Sequence, residues 1–253
     1  MNSRRLWNSI WPPLVAVILF LLIWQGATAL FHIEKWILPS PVDIGHQSVA
    51  EAASLWEHTL ATLRLMLLGF AIGTLFGLVV AFVLHLVPFL KSSLYPLLIL
   101  SQNVPTIALA PLLMIWFGFG ILPKIIVITL VCFFPVAVAA MDGLTRTDRA
   151  MLNYMKMIGA SRGEIFRKLE VPFALPAMLS GVKISATYSV MGAVIAEWIG
   201  ADKGIGYYMM LQKSSFRTDN IFVAIVIIVA ISLMMFACIA LLEKWLIRYK
   251  PEK

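Results

Sequence analysis

The sequence predicts an all-α protein built as a polytopic membrane helix bundle with six transmembrane helices. Three observations lead there. Hydrophobic residues make up 61% of the 253-residue chain and charged residues only 13%, whereas soluble domains are about 45–50% apolar and about 25% charged. Mean hydropathy is +0.91. The charges are also clustered, and the stretches between the clusters have the length of membrane spans.

A helix needs about 20 apolar residues to cross the hydrocarbon core. Asp, Glu, Lys and Arg are absent from the 28 residues between Arg5 and Glu34, the 26 between Arg64 and Lys91 and the 32 between Lys91 and Lys124. They are also absent from the 17 between Lys124 and Asp142, the 13 between Lys183 and Glu197 and the 23 between Asp219 and Glu243. Spans are therefore expected near 11–31, 64–87, 94–117, 121–141, 182–200 and 220–243. Residues 1–10 form an N-terminal segment, and 11–253 a single membrane domain.

Arg4 and Arg5 ahead of the first span resemble the start of a signal peptide. The apolar run from Leu6 to Phe31 is too long for one and no small-residue cleavage site follows, so a retained first helix is expected. Between the first two spans, Ser40 suits an N-cap, Pro41 the first helical position and Asp43 the positive end of the dipole, giving a short helix within 42–58. The second span carries Gly69, Gly73 and Gly77 on one face. Such a stripe lets another backbone approach closely, either for fixed packing or for sliding between two packed states.

The third span holds Pro96, Pro105 and Pro111 around Ser101, Gln102 and Asn103. Each proline removes a backbone donor, and broken polar helices at membrane depth line cavities or are buried in protein. Gln102, Asn103 and Pro105 are thus candidates for a translocation pathway, against a structural kink in which Asn103 bonds another helix. The fifth gap is short and needs Lys183 to snorkel at one end. Glu197 near its other end either faces the bundle interior, as a further pathway residue, or lies at the interface beside Trp198.

With the N-terminus inside, 14 of the 20 basic residues fall on the same side as the termini, which supports both termini being cytoplasmic. The segment 142–181 carries ten charged residues, each costing about 2.5–3.5 kcal/mol at a helix centre, so it is expected to be a cytoplasmic loop. Cys132 and Cys238 read as small buried hydrophobes. His32, His46, His58 and His85 show no metal-ligand spacing, so no metal site is expected. The +7 charge has no basic stripe interleaved with stacking aromatics, and nucleic-acid binding is not expected.

Within that loop two short helices are expected. One ends at Gly159, which can adopt a left-handed C-cap, and the next starts at Ser161 and stops before Pro172. Exposed Met155, Met157 and Ile158 would form a knob for a partner's groove.

The loop resembles the EAA loop of type I ATP-binding-cassette (ABC) importer permeases. Gly159 is followed by nine residues and then by Leu169-Glu170-Val171-Pro172, as in that pattern. The EAA positions themselves are occupied by Asn153, Tyr154 and Met155. Leu38-Pro39-Ser40-Pro41, the run Pro105 to Gly118, Gly159-Ala160-Ser161 and Glu197-Trp198 are together similar to the nitrate, sulfonate and taurine branch. The segments 186–190, 196–200 and 204–208 are similar to permeases assigned to pyrimidine precursors of thiamine.

The resemblance implies a MetI-like permease fold in the bacterial inner membrane, and no enzymatic activity in this chain. It implies two permease subunits forming a homodimer, two ABC ATPase subunits docked on the loop and an extracellular or periplasmic substrate-binding protein. It implies that ATP and Mg are used by the partner ATPase while this chain binds no cofactor. In agreement, the chain has no GxxxxGK[ST] phosphate loop. A stand-alone secondary transporter would instead predict inverted repeats or more intramembrane charge, and a membrane enzyme a paired nucleophile and base; neither pattern is visible.

Overall fold

A computed structural model of the chain describes residues 3–247. The basic residues Arg248, Lys250 and Lys253 lie outside the described residues, as do the side chains of Arg4 and Arg5. Among the described residues the chain is helical, without strands. Among the described residues five helices are long and apolar enough to cross a membrane, or six if one bent pair is a single span.

Helix α1 (Ser3–Leu30) carries the first apolar span and lies at the periphery, with only 6% of that span buried. Helix α2 (Pro41–Ala50) starts at a capping box: Ser40 Oγ accepts from the Asp43 amide at 3.2 Å and the Asp43 carboxylate accepts from the Ser40 amide at 3.3 Å. The Lys35 ammonium at 2.6 Å holds the Asp43 carboxyl below its usual range, with the Ser40 hydroxyl adding to the effect. The expected run to His58 is split at Glu51 (φ −99°, ψ 11°), and residues 52–58 belong instead to α3 (Ala52–Leu86). The turn at Glu51 lets Ile44 of α2 and Leu55 of α3 enter the same apolar cluster.

The third span departs from a straight crossing. It is two helices, α4 (Pro88–Ser101) and α5 (Thr106–Phe117), bent by 100°. Pro105 stands at the break with an extended backbone (φ −62°, ψ 114°) and no N–H to continue a helical ladder. Helix α6 (Ile121–Thr145) follows, then α7 (Arg149–Met157).

The second loop helix does not stop before Pro172. A four-residue α8 (Arg162–Ile165) passes into a π turn (Phe166–Glu170) and then into α9 (Val171–Trp198), one 37-residue rod. The Val171 amide donates to the Phe166 carbonyl, five residues back. A proline can neither donate to the carbonyl four residues back nor clear it; widening the turn just before Pro172 keeps the rod going. Residues 162–181 of the expected loop are thus helical and continuous with the fifth span. Helix α10 (Ile205–Ser214) and α11 (Thr218–Leu246) complete the chain.

Helix α6 is sandwiched between α3 and α9. The glycine stripe makes this possible. A Cβ on Gly69 would lie 2.5 Å from Ile128, one on Gly73 2.8 Å from the Thr129 carbonyl, and one on Gly77 2.9 Å from the Phe133 carbonyl. On the other flank, a Cβ on Gly181 would lie 2.7 Å from the Pro135 carbonyl. The core is stacked in three layers along the bundle. One lies toward the α7 end (Leu84, Leu98, Met141, Ala174), one in the middle (Met66, Ala110, Ile128, Val190) and one toward the α10 end (Ile44, Leu55, Tyr208, Val223).

Cys132 is buried, but Cys238 is exposed on the face of α11 turned away from the bundle, a correction to the expectation that both are buried. Lys183 does more than snorkel: its Nζ lies 2.7 Å from Glu243 Oε2, joining α9 to α11.

Candidate functional site

At one end of the bundle α7 stands clear, with no buried residue. Its N-terminus is capped by Asp148, whose carboxylate accepts from the Ala150 amide at 2.7 Å. Its C-terminus closes as a full Schellman turn: the Gly159 amide donates to Lys156 and the Ala160 amide to Met155, both at 3.0 Å. Gly159 sits at φ +81° with open space where a Cβ would be. Its requirement is therefore conformational and not steric.

The next residue starts the rod. Ser161 Oγ accepts from the Glu164 amide at 3.3 Å and the Glu164 carboxylate accepts from the Ser161 amide at 3.1 Å. The helix–glycine–helix unit is thus fixed at both junctions by local hydrogen bonds, and α7 is presented as a preformed element.

The exposed face of that unit is apolar. Met151 is 50% exposed, Tyr154 60%, Met157 86% and Ile158 61%. Spaced by three and four residues, they form one stripe. An apolar stripe left open to water marks an interaction surface. Asn153 is exposed beside it, Met155 is half-buried, and Leu169 and Pro172 lie on the rod, Leu169 half-buried and Pro172 exposed.

The α4–α5 break lies between core layers, because Leu98 of α4 joins the layer toward α7 and Ala110 of α5 the middle layer. Gln102, Asn103 and Pro105 are all exposed there. The Asn103 amide donates to the carbonyls of Leu100 at 3.2 Å and Ile99 at 3.4 Å, capping α4 and not bonding another helix.

Glu197 is not beside them. It is 2% exposed, at the α10 end. Its Oε2 accepts from the Gly206 amide at 2.8 Å and from Thr62 Oγ1 at 3.1 Å. Thr62 Oγ1 also accepts from the Ile205 amide at 2.8 Å, and His58 Nδ1 from the Gly204 amide at 3.2 Å. Three orphan amides at the start of α10 are thereby satisfied by α3 and α9, with the carboxylate at the positive end of the α10 dipole. A side chain at Gly204 would collide with the Glu197 carboxylate. Gly204 and Gly206 enter the sequence reading only through the resemblance of 204–208, seven residues beyond Glu197, and Thr62 and His58 carry no sequence signal for this role.

Among the described residues no group of His, Cys, Asp and Glu is placed to hold a metal.

Comparison with known proteins supplies the identity that this geometry suggests. The model of the family described as binding-protein-dependent transport system inner membrane component matches residues 73–248. A probable ABC transporter permease of Haemophilus influenzae is 38% identical over 224 residues, covering 88% of this chain and 91% of that protein. The formylaminopyrimidine transport permease ThiX of Halalkalibacterium halodurans is 32% identical over 251 residues, covering 99% of this chain and all of that protein. Other relatives are named for riboflavin, taurine and aliphatic sulfonates. Among solved structures, an inward-facing MetNI methionine ABC transporter matches with a TM-score of 0.66 at 18% identity, covering 78% of this chain and 96% of that one. The fold is accordingly the MetI-type permease fold, and the relatives are permeases, not enzymes. The chain belongs to the family of binding-protein-dependent transport system inner membrane components, the membrane-spanning subunits of ABC importers that work with an ATPase and a substrate-binding protein.

Proposed function

We propose that this chain imports an aminopyrimidine, a thiamine pyrimidine precursor of the hydroxymethylpyrimidine or formylaminopyrimidine kind, as a homodimer driven by two ABC ATPase subunits. The observation that carries the coupling role is the exposed, doubly capped α7 with its Met151, Tyr154, Met157 and Ile158 stripe. The stripe seats in a groove on the ATPase, which binds ATP and Mg; this chain binds neither. Closure of the ATPase dimer moves α7, and the rod that begins at Ser161 carries that movement into the bundle.

The α7 end faces the cytoplasm, with both termini on that side, in keeping with the excess of Lys and Arg there. The α10 end faces the binding protein. The pathway runs past the mid-depth α4–α5 break, where Gln102, Asn103 and Pro105 are open, since irregular backbone at membrane depth is tolerated where it lines a cavity.

The substrate class rests on the end-to-end match to the formylaminopyrimidine permease. Aliphatic sulfonate, taurine or nitrate import by the same mechanism is the alternative, supported for taurine by the permease TauC of Escherichia coli at 30% identity. Uptake is to be measured in proteoliposomes holding the chain, its ATPase and its binding protein. Labelled formylaminopyrimidine should accumulate with ATP. Accumulation of taurine but not of the pyrimidine would overturn the substrate assignment.

A further inference from the structure

Glu170 stands out as a carboxylate buried at the root of the coupling element, its side chain only 5% exposed. Its Oε1 accepts from Arg162 Nη1 at 2.7 Å and its Oε2 lies 3.0 Å from His85 Nε2. Three segments meet at this one group: His85 is on the last turn of α3, Arg162 is the first residue of the rod after α7, and Glu170 ends the π turn.

The π turn is what brings the pair together. Eight α-helical steps of about 100° each would leave Arg162 and Glu170 about 80° apart around the helix. With five of those steps taken in a π turn, at about 82° each, the total is about 710°, and the two side chains fall on one face to within about 10°. Phe166 of the same turn packs edge-on against Phe82 and stacks on His85, holding the widened turn against α3.

His85 cannot satisfy both neighbours. Its Nε2 lies 3.0 Å from the Glu170 carboxylate and 3.1 Å from Arg162 Nη2. The guanidinium only donates and the carboxylate, when ionised, only accepts. Nε2 therefore either carries a proton and donates to Glu170, or is bare and accepts from Arg162. The other ring nitrogen, Nδ1, is buried and has no hydrogen-bond partner among the described residues. With Nε2–H donating to Glu170 Oε2, Arg162 bonds Oε1.

We infer that Glu170 is a positioning residue for transport: clamped between Arg162 of the coupling element and His85 of α3, it makes the rod and α3 follow α7 as one body. This rests on the coupling role proposed for α7. Without the clamp, α7 still docks, but its displacement is taken up at the π turn and does not reach the bundle.

The test uses the full transporter in proteoliposomes and reads two quantities: ATPase subunits retained per permease, and the ratio of binding-protein-stimulated to basal ATP hydrolysis. Glu170→Gln and His85→Leu should retain the ATPase at wild-type stoichiometry while the stimulation ratio falls roughly tenfold, the factor for losing a charge-assisted hydrogen bond. His85→Gln should restore it, since an amide donates to the carboxylate while its carbonyl accepts from Arg162. Arg162 is half exposed, so Arg162→Gln keeps the fold and should lower the ratio as well. Wild-type ratios in Arg162→Gln and Glu170→Gln, or loss of the ATPase along with the ratio, would overturn the inference. Failure of the underlying coupling role looks different: Met157→Glu would then leave the ATPase bound and stimulated.

Discussion

Replacing Gly73 with alanine asks whether the bundle is held by backbone contact between α3 and α6. The added Cβ would lie 2.7 Å from the Cys132 Cβ, 2.8 Å from the Thr129 carbonyl and 3.2 Å from the Thr129 Cα. Two of these are backbone atoms of a buried helix that is pinned on its other flank by α9, so neither can swing aside. Overpacking of this kind costs about 1–3 kcal/mol. Alanine returns about 0.5–1 kcal/mol through helix propensity. The net loss at mid-range is about 1 kcal/mol, or about 2–4 °C of melting temperature for a domain of this size.

Gly45→Ala is the internal control, because α2 offers nothing within 4 Å of the new Cβ and the full propensity gain remains. Both variants are to be melted in the same detergent, with intrinsic fluorescence as readout. Gly73→Ala should melt below wild type and Gly45→Ala at or above it. If Gly73→Ala melts as high as wild type, or the two variants shift together, the close-approach account of the stripe is wrong.

Glu197→Ala should cost about 1–3 kcal/mol, because the buried Gly206 amide loses its acceptor; limited proteolysis should then open the segment 199–204, while Glu197→Gln stays closer to wild type. Gly159→Ala should cost about 1–2 kcal/mol for an L-residue held at φ +81° and weaken ATPase retention, whereas Gly159→Asn, which tolerates that conformation, should retain more of it. A double-mutant cycle of Lys183→Met and Glu243→Gln should return a coupling of about 1–3 kcal/mol by thermal melting, since both side chains are largely removed from water.

Much of the bundle was legible because charge is expensive in a bilayer, so the gaps between Arg64 and Lys91 or Asp219 and Glu243 can hold little but membrane helices. The cap at Ser40 and the turn at Gly159 were legible because they are local: each depends on residues within a few positions. What escaped depends on tertiary context. Pro172 reads as a helix stop, and nothing in the sequence announces that a π turn will carry the rod past it. The 100° bend at Pro105 required knowing that α4 and α5 would find separate layers of core. Thr62 and His58 sit in a membrane-helix sequence with no mark of their service to α10, more than 140 residues away. Cys238 lies in an apolar run like that of Cys132, and only packing on α9 decides which face of α11 is covered.

The account depends on α7 being the element through which an ATPase drives this chain. The most direct measurement is ATP-driven uptake of formylaminopyrimidine in proteoliposomes by Met157→Glu, which puts a charge at the most exposed point of the stripe, 86% open, without touching the core. Binding of the ATPase and uptake should both be lost, while the helical content and melting temperature of the permease stay at wild-type values. Undiminished uptake by that variant, or uptake by the wild-type chain with no ATPase present, would contradict it.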